Sequence, residues 1–317
     1  MVWLKPKISA KQLTIDPPKP QEGRHGIAIA VCVKDEARYI EEWVRFHQAV
    51  GIRHFYIYDN GSTDETNAIL RDLLDADRLT IIPWAGRMTD ATTRAPLSGQ
   101  VIVFAHAILN FGGAYRWMAF IDVDEFLLPK KGLTVEEALQ AVGDFPNVSL
   151  PWHMFATSGH ETPPDGPLAL NYTKRGADPM TPKEHVSNFK CIVDPCEVIE
   201  VSVHQFKTRA FGDLTVNDAG KRFTRRLRRS PDFYSNRFLQ LNHYYTKSRE
   251  ELMAKLARGW TYDASPTKYR DKVLSIVKSV EEDLVEDRAM VEFIERNHID
   301  LGQLVRKAQR AASSNRR

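Results

Sequence analysis

Arg116-Trp-Met-Ala-Phe-Ile-Asp-Val-Asp-Glu-Phe-Leu-Leu-Pro129 is an apolar, β-prone run interrupted by three acids within four residues. Carboxylates therefore stand at the end of a buried strand. Period-2 alternation places Asp122 and Asp124 on one side of such a strand, where both can hold one hard divalent cation. A magnesium-type ion completes its shell with water and substrate phosphates, which makes a diphosphate the natural partner. Taken alone, Asp-x-Asp also fits a solvated strand end. The elements around it decide between the two.

Upstream, Ile27-Ala-Ile-Ala-Val-Cys-Val33 is a continuous run of the kind covered on both faces of a sheet. A helical stripe of Ile40, Trp43, Val44, His47 and Val50 follows, with Gly51 as its stop. His54–Tyr58 reads as the next strand and ends in the turn-forming Asp59-Asn60-Gly61-Ser62. A helix over 64–74, a strand over 79–82, a helix over 98–111 and a strand over 117–121 continue the alternation. Thr134-x-x-Glu137 is a capping box for one further helix. This order predicts an α/β fold with a mostly parallel, Rossmann-like sheet flanked by helices. Ligands bind beyond the carboxyl ends of such strands. Lys34-Asp35-Glu36, Asp59-Asn60-Gly61-Ser62 and Asp122-x-Asp124 all fall there.

Beyond about residue 145 the pattern changes to short β-type runs (148–152, 189–193, 198–206) between Pro/Gly-rich loops. Ser248-x-x-Glu251 caps a helix to about Trp260, and a long polar helical region is expected from Lys268 to Arg296. The expected organisation is an extended leader (1–25), an α/β half (26–145), a smaller mixed β/α part of the same domain (146–265), and a helical extension with a basic tail (266–317).

An apolar fraction of 43% and a charged fraction of 27% suit a soluble protein with ample core. No segment approaches the roughly 20 apolar residues of a membrane span. Met1–Lys7 lacks an apolar core and a small-residue cleavage site, so the expected location is cytoplasmic. Three cysteines make no disulfide framework. The net charge of +3 hides a cluster: GKRFTRRLRRS, residues 220–230, holds six basic residues and no acid, and the tail adds Arg306, Lys307, Arg310, Arg316 and Arg317. Such clusters favour anionic surfaces. Peripheral contact with an anionic membrane at the inner face of the plasma membrane is one expectation. RNA binding is a competing one, weakened because Phe223 is the only aromatic in the cluster.

Asp59 can accept from a base N–H or a ribose hydroxyl, with Gly61 permitting close approach; the same residues also suit an ordinary Asx-turn. Asp35 and Glu36 suit either a helix N-terminus or a nucleotide. Arg94 and Lys190 are candidate cations against a diphosphate. His243 is the preferred third metal ligand, since Asn242, Tyr244, Tyr245 and the phosphate-binding candidate Lys247 surround it; His204 is the alternative.

These residues carry a resemblance. Val31-Cys-Val-Lys-Asp-Glu-Ala-Arg-Tyr-Ile-Glu-Glu-Trp43, Gly51-Ile-x-x-Phe-Tyr-Ile-Tyr-Asp-Asn-Gly-Ser-Thr-Asp64 and Phe120-Ile-Asp-Val-Asp-Glu-Phe-Leu128 resemble GT-A glycosyltransferases of the family 2 and family 92 type. The likeness extends to Trp152-x-x-Phe155-x-x-Ser158-Gly159-His160, Asn242–Ser248 and Arg258-Gly259. It implies a GT-A fold and a nucleotide-sugar donor, UDP-linked, bound by residues 26–145. It further implies Mn²⁺ or Mg²⁺ on Asp122 and Asp124, and nucleotide contacts from Lys34, Glu36, Asp59 and Asn60. Residues 146–265 would then complete the metal site and face a glycan or lipid-linked saccharide acceptor, with no role for nucleic acid. Asp59-Asn60 stands where family 2 often has two acids, and that family's Glu-Asp motif has no counterpart here.

The expected reaction is an inverting transfer to an acceptor hydroxyl, with Glu161, His160 and Asp165 as base candidates in the Ser158–Pro167 loop. A metal-dependent nucleotidyltransferase or sugar-nucleotide hydrolase would use the same carboxylates. The chain has no Gly-rich phosphate loop leading to a lysine, which sets P-loop chemistry aside.

Overall fold

Alternation along the first long strand sorts its side chains onto two faces: Ile27, Ile29, Val31 and Val33 on one, Ala28 and Ala30 on the other. The computed structural model describes residues 11–92, 94–183, 185–258 and 266–302. The first half contains β1 (Gln12–Thr14), β2 (Ile27–Val33), α1 (Ile40–Ala49), β3 (Ile52–Asp59), α2 (Thr66–Leu73), β4 (Leu79–Pro83), α3 (Gly99–Phe111), β5 (Trp117–Phe120), β6 (Glu125–Pro129) and α4 (Val135–Val142). Next come β7 (Asn147–Met154), α5 (Leu168–Asn171), β8 (Lys174–Gly176), β9 (Phe189–Val193), β10 (Val198–Ser202) and β11 (Phe206–Thr208). The remainder is β12 (Thr215–Val216), β13 (Arg222–Phe223), β14 (Leu239–His243), α6 (Arg249–Arg258), α7 (Pro266–Glu281), β15 (Leu284–Glu286) and α8 (Ala289–Arg296).

A ten-stranded sheet runs β13-β12-β7-β9-β5-β2-β3-β4, with β14 joined to β7 and β6 joined to β14. β4, β3, β2 and β5 are parallel. β9 lies antiparallel between β5 and β7. The chain winds outward from β2 in both directions, to β3 on one side and β5 on the other, so a crevice opens at the carboxyl ends of β2 and β5. The mostly parallel α/β sheet follows the sequence reading.

On one face α1, α4 and α8 bring Trp43, Phe46, Leu139 and Phe293 onto the odd-numbered residues of β2. On the other, Phe120 packs between Phe104 of α3 and Phe206 at ring-centroid distances of 4.6 and 4.8 Å. Each such buried side chain contributes about 1.5–3 kcal/mol. A one-residue slip of β2 would exchange isoleucines for alanines against α1, so the pattern itself fixes the register. Both capping boxes form: Glu137 N–H donates to Thr134 Oγ1 at 3.1 Å, and Glu251 N–H to Ser248 Oγ at 3.2 Å.

Two expectations need correction. The region from Lys268 to Arg296 is two helices, α7 and α8, separated by β15, which pairs with β8. The 198–206 run is two strands folded at a turn in which Ser202 N–H and Oγ both donate to the Gln205 carbonyl. β6 and β14 were not anticipated, because apolar runs this short carry no periodicity. Within the extended leader, β1 pairs with β10. Trp260, Gly259 and the basic tail lie outside the described residues.

Candidate active site

β5 stops at Phe120, and the Glu125 N–H donates to the Asp122 carbonyl at 3.0 Å. Asp122–Glu125 is therefore a tight turn and not a continuing strand, which removes the period-2 alternation expected of the two aspartates. Each has its own partners. Asp122 accepts from Gln100 Nε2 at 3.0 Å and from Lys190 Nζ at 2.7 Å. Asp124 Oδ1 lies 3.5 Å from His243 Nε2. His243 arrives through β14, where it pairs opposite Glu125 of β6, and the next residue, Tyr244, donates its N–H to the Asp124 carbonyl at 2.8 Å. The Trp152 ring, 4.4 Å from the imidazole centroid, fixes its plane.

Behind the turn lies a buried charge cluster. Lys190 is 1% exposed and Glu125 fully buried, with Nζ 3.6 Å from Glu125 Oε2. Burial alone would lower the Lys190 pKa, but Asp122 and Glu125 outweigh it and raise it. Burial is also the main reason that Glu125 titrates well above the usual carboxylate range; Asp122 and Asp124 push it further, against Lys190. Burial would raise Asp124 too, yet His243, then Lys255 and Lys247, hold it below that range.

Asp124 and His243 fit a Mn²⁺ or Mg²⁺ ion. A carboxylate oxygen and an imidazole nitrogen 3.5 Å apart converge on one position. The other imidazole nitrogen, Nδ1, is buried without a hydrogen-bond partner, 4.0 Å from the equally unpartnered Glu125 Oε1. That carboxyl stands where the outer partner of a ligating histidine stands. Among the described residues no three His, Cys, Asp or Glu side chains gather into a full cage. The pair matches an ion that takes its remaining ligands from water and phosphate.

Asp124 opens into a cleft of about 350 Å³ lined by Asp35, Glu36, Tyr39, Lys247, Glu251 and Lys255 among others. Its two lysines rest on aromatic rings: Lys247 Nζ is 4.1 Å from the Tyr39 centroid, and Lys255 Nζ 3.7 Å from that of Tyr245. Lys247 has a left-handed backbone, φ +55°. Burial lowers the Lys255 pKa, with Asp124 opposing. Neither lysine has a carboxylate within ion-pair distance among the described residues. Glu251 is committed to the fold, accepting from Tyr39 Oη and from Ser248.

Other expected residues are placed differently. Asp59 Oδ1 accepts from Ser62 N–H and Oδ2 from Asn67 Nδ2, both at 2.8 Å, so the Asx-turn is present. Asn60 and Lys34 are exposed at the neighbouring strand ends, and the Glu36 N–H donates to Thr66 Oγ1. Arg94 is exposed, with φ +58°, and is not in the cleft wall. Lys190, expected to meet a diphosphate, is instead inside the protein beside Asp122. His204 Nδ1 donates to the Phe189 carbonyl at 2.9 Å and its ring sits edge-on to Trp152; burial pushes its pKa down to about 3. None of the base candidates lines the cleft: His160 Nε2 bonds the Asn171 carbonyl, Glu161 pairs with Arg249, and Asp165 is exposed. Gln100 and Lys255 were missed. Gln100 lies in the first turn of α3 without a motif, and Lys255 reads as the i+4 partner of Glu251.

Comparison with known proteins adds the following. The model of glycosyltransferase family 92 matches residues 27–288. A glycosyltransferase family 92 protein of Ricinus communis is 30% identical over 207 residues, 62% of this chain and 35% of that protein. One from Oryza sativa subsp. japonica is 27% identical over 169 residues, 51% of this chain and 27% of that protein. The chain thus spans about a third of the length of these curated relatives. Among solved structures, S. aureus TarS 1–349 is 12% identical with a TM-score of 0.34, covering 80% of this chain and 70% of that one. The mannosyltransferase PcManGT from Pyrobaculum calidifontis, solved with GDP-Man and Mn²⁺, is 20% identical with a TM-score of 0.29, covering 43% and 38%. TM-scores of this size carry no argument about ligands.

Proposed function

The chain belongs to glycosyltransferase family 92, and from that premise we propose that it transfers a sugar from a nucleoside diphosphate donor, a UDP-sugar, to a hydroxyl of a glycan or lipid-linked saccharide. The observation that carries this reading is the Asp124–His243 pair, 3.5 Å apart, with Asp124 lining a cleft whose two lysines have no carboxylate within ion-pair distance among the described residues. Asp124 and His243 would hold Mn²⁺ or Mg²⁺. When bound, that ion supplies positive charge against the leaving diphosphate.

The chain's own residues do the rest. Lys247 and Lys255, steadied on Tyr39 and Tyr245, neutralise diphosphate oxygens. Lys190 and Gln100 hold the Asp122 carboxylate in place, which leaves its outer edge for the donor's ribose. Asp59 shapes the pocket for the base at the adjacent strand end, its carboxylate held by Ser62 and Asn67. In a single displacement the acceptor oxygen bonds the anomeric carbon as the carbon–oxygen bond to the diphosphate breaks, the nucleoside diphosphate leaves, the hydroxyl proton passes to solvent, and the anomeric centre inverts.

A panel of nucleotide sugars, each with and without Mn²⁺, tests this by thermal stabilisation and nucleotide release. The expected result is Mn²⁺-dependent stabilisation by one UDP-sugar and transfer to an added saccharide. Nucleotide release without transfer to any hydroxyl would favour a hydrolase, and no response to any donor would end the proposal.

A further inference from the structure

The basic run 220–230 was expected to be a uniform surface patch, and the structure divides it. Arg228 is 6% exposed, donating to Ser149 Oγ at 3.0 Å and to the His204 carbonyl at 2.8 Å, with its guanidinium 4.3 Å from the Phe189 ring centroid. Arg222 lies over Phe211 at 4.8 Å, and Lys221 over Phe223 at 5.1 Å. Arg228 fastens the segment to β7 and β9, and β13 pairs with β12 beside it. Arg225, Arg226 and Arg229 remain exposed and make no ion pair with an acid among the described residues. Between them the short 3-10 turn Leu227–Arg229 holds out Leu227, which at 56% is the most exposed large apolar side chain among the described residues.

An aliphatic tip ringed by unpaired arginines, on a segment pinned from below, suits one kind of partner. We infer that residues 225–229 dock the protein on an anionic lipid bilayer, with Leu227 entering the interface and Arg225, Arg226 and Arg229 meeting acidic headgroups. A single-stranded nucleic acid would need exposed rings for stacking, and Phe223 is buried. Burial lowers the Arg228 pKa, Cys191 opposes it, and Arg229 and Arg225 add to the lowering.

Three successive contacts link the segment to the candidate active site. Arg228 holds the His204 carbonyl, the His204 ring packs edge-on against Trp152, and Trp152 packs on His243. Given the transferase reading, on which this last step rests, the acceptor is a saccharide carried on a lipid and presented from the membrane surface.

The test is co-sedimentation of the full chain with vesicles of pure phosphatidylcholine and of equal parts phosphatidylcholine and phosphatidylglycerol. The wild type should be retained by the acidic vesicles alone. Combined Arg225→Gln, Arg226→Gln and Arg229→Gln should weaken retention on the order of a hundredfold, from about fivefold for each arginine near an acidic surface. Leu227→Gln should weaken it by roughly tenfold. All four positions are exposed, so an unchanged melting temperature confirms that the variants fold. Retention that survives the triple substitution would overturn the assignment and pass it to the basic tail. So would loss of binding to an unstructured RNA in the triple variant when acidic vesicles retain nothing. No outcome depends on turnover, so a failure here is separate from a failure of the transferase reading.

Discussion

The ends of β3 and β5 both carry carboxylates, and the chain finishes them in opposite ways. At β3 the protein closes the site on itself: Asp59 takes Ser62 N–H and Asn67 Nδ2, and Asp64 takes Ala37 N–H and the Thr66 hydroxyl. At β5 Asp122 is held, but Asp124 faces a cleft, and the atoms behind it, Glu125 Oε1 and His243 Nδ1, have no hydrogen-bond partner. A closed strand end contributes to stability and shape. An open one is arranged for something the chain does not supply.

The contrast can be broken most directly at Asp124. Asp124→Ala should lower transfer by roughly 10⁴-fold, because the proposed cation loses its carboxylate ligand. Near wild-type turnover, followed with the preferred donor, would erase the distinction. Lys190→Met probes the held half of the same strand end. It strands the buried Glu125 and half-buried Asp122 without their cation and should cost about 3–5 kcal/mol in urea denaturation. A variant as stable as wild type would mean that the cluster is neutral without the lysine.

Glu42 sharpens the closed class. It is fully buried on α1, and both its oxygens accept from backbone N–H groups, of Leu168 at 2.7 Å and Ala169 at 2.8 Å. Burial outweighs those bonds and raises its pKa from 4.5 to about 7. The folded chain therefore binds more protons than the unfolded one between these values. This contribution is fully present below about pH 4.5 and is lost as pH rises through about 7, roughly 3 kcal/mol in all. Urea midpoints of wild type and Glu42→Gln at about pH 5 and pH 8 measure it, and the fall should be absent from the variant. The smallest effect is expected at β3: Asp59→Ala should cost about 1–2 kcal/mol by freeing the turn, with a modest rise in donor KM. Loss of all donor binding at unchanged stability would show that the β3 end is open after all.

How far these features could be read from the sequence depended on how local they are. β2, β9, α1 and both capping boxes announce themselves through runs, stripes and spacings of a few residues. The Asp122–Glu125 turn does not, because Val123 and Phe126 look like a strand continued. Lys190 carries a charge that suggests a phosphate, and only its position on the fully buried β9 turns it toward Asp122. The same holds for Arg228, identical in type to its exposed neighbours and distinguished by Phe189 beneath it. His243 was accessible because its polar neighbours mark it. Lys255 was not, since its partner ring and its cleft are tertiary facts.

The placement of β14 also governs when the site can exist. β6 has no sheet partner among the described residues other than β14, and β14 brings His243 against Asp124 only by inserting between β6 and β7. During synthesis the acidic turn emerges long before the histidine that completes it. A nascent chain that has folded its parallel half therefore still lacks the cation pair, and must hold a gap open for a late strand. Assembly of the candidate site is thereby tied to the insertion of β14. Binding of the proposed cation at Asp124 and His243 would therefore report that β14 has taken its place between β6 and β7.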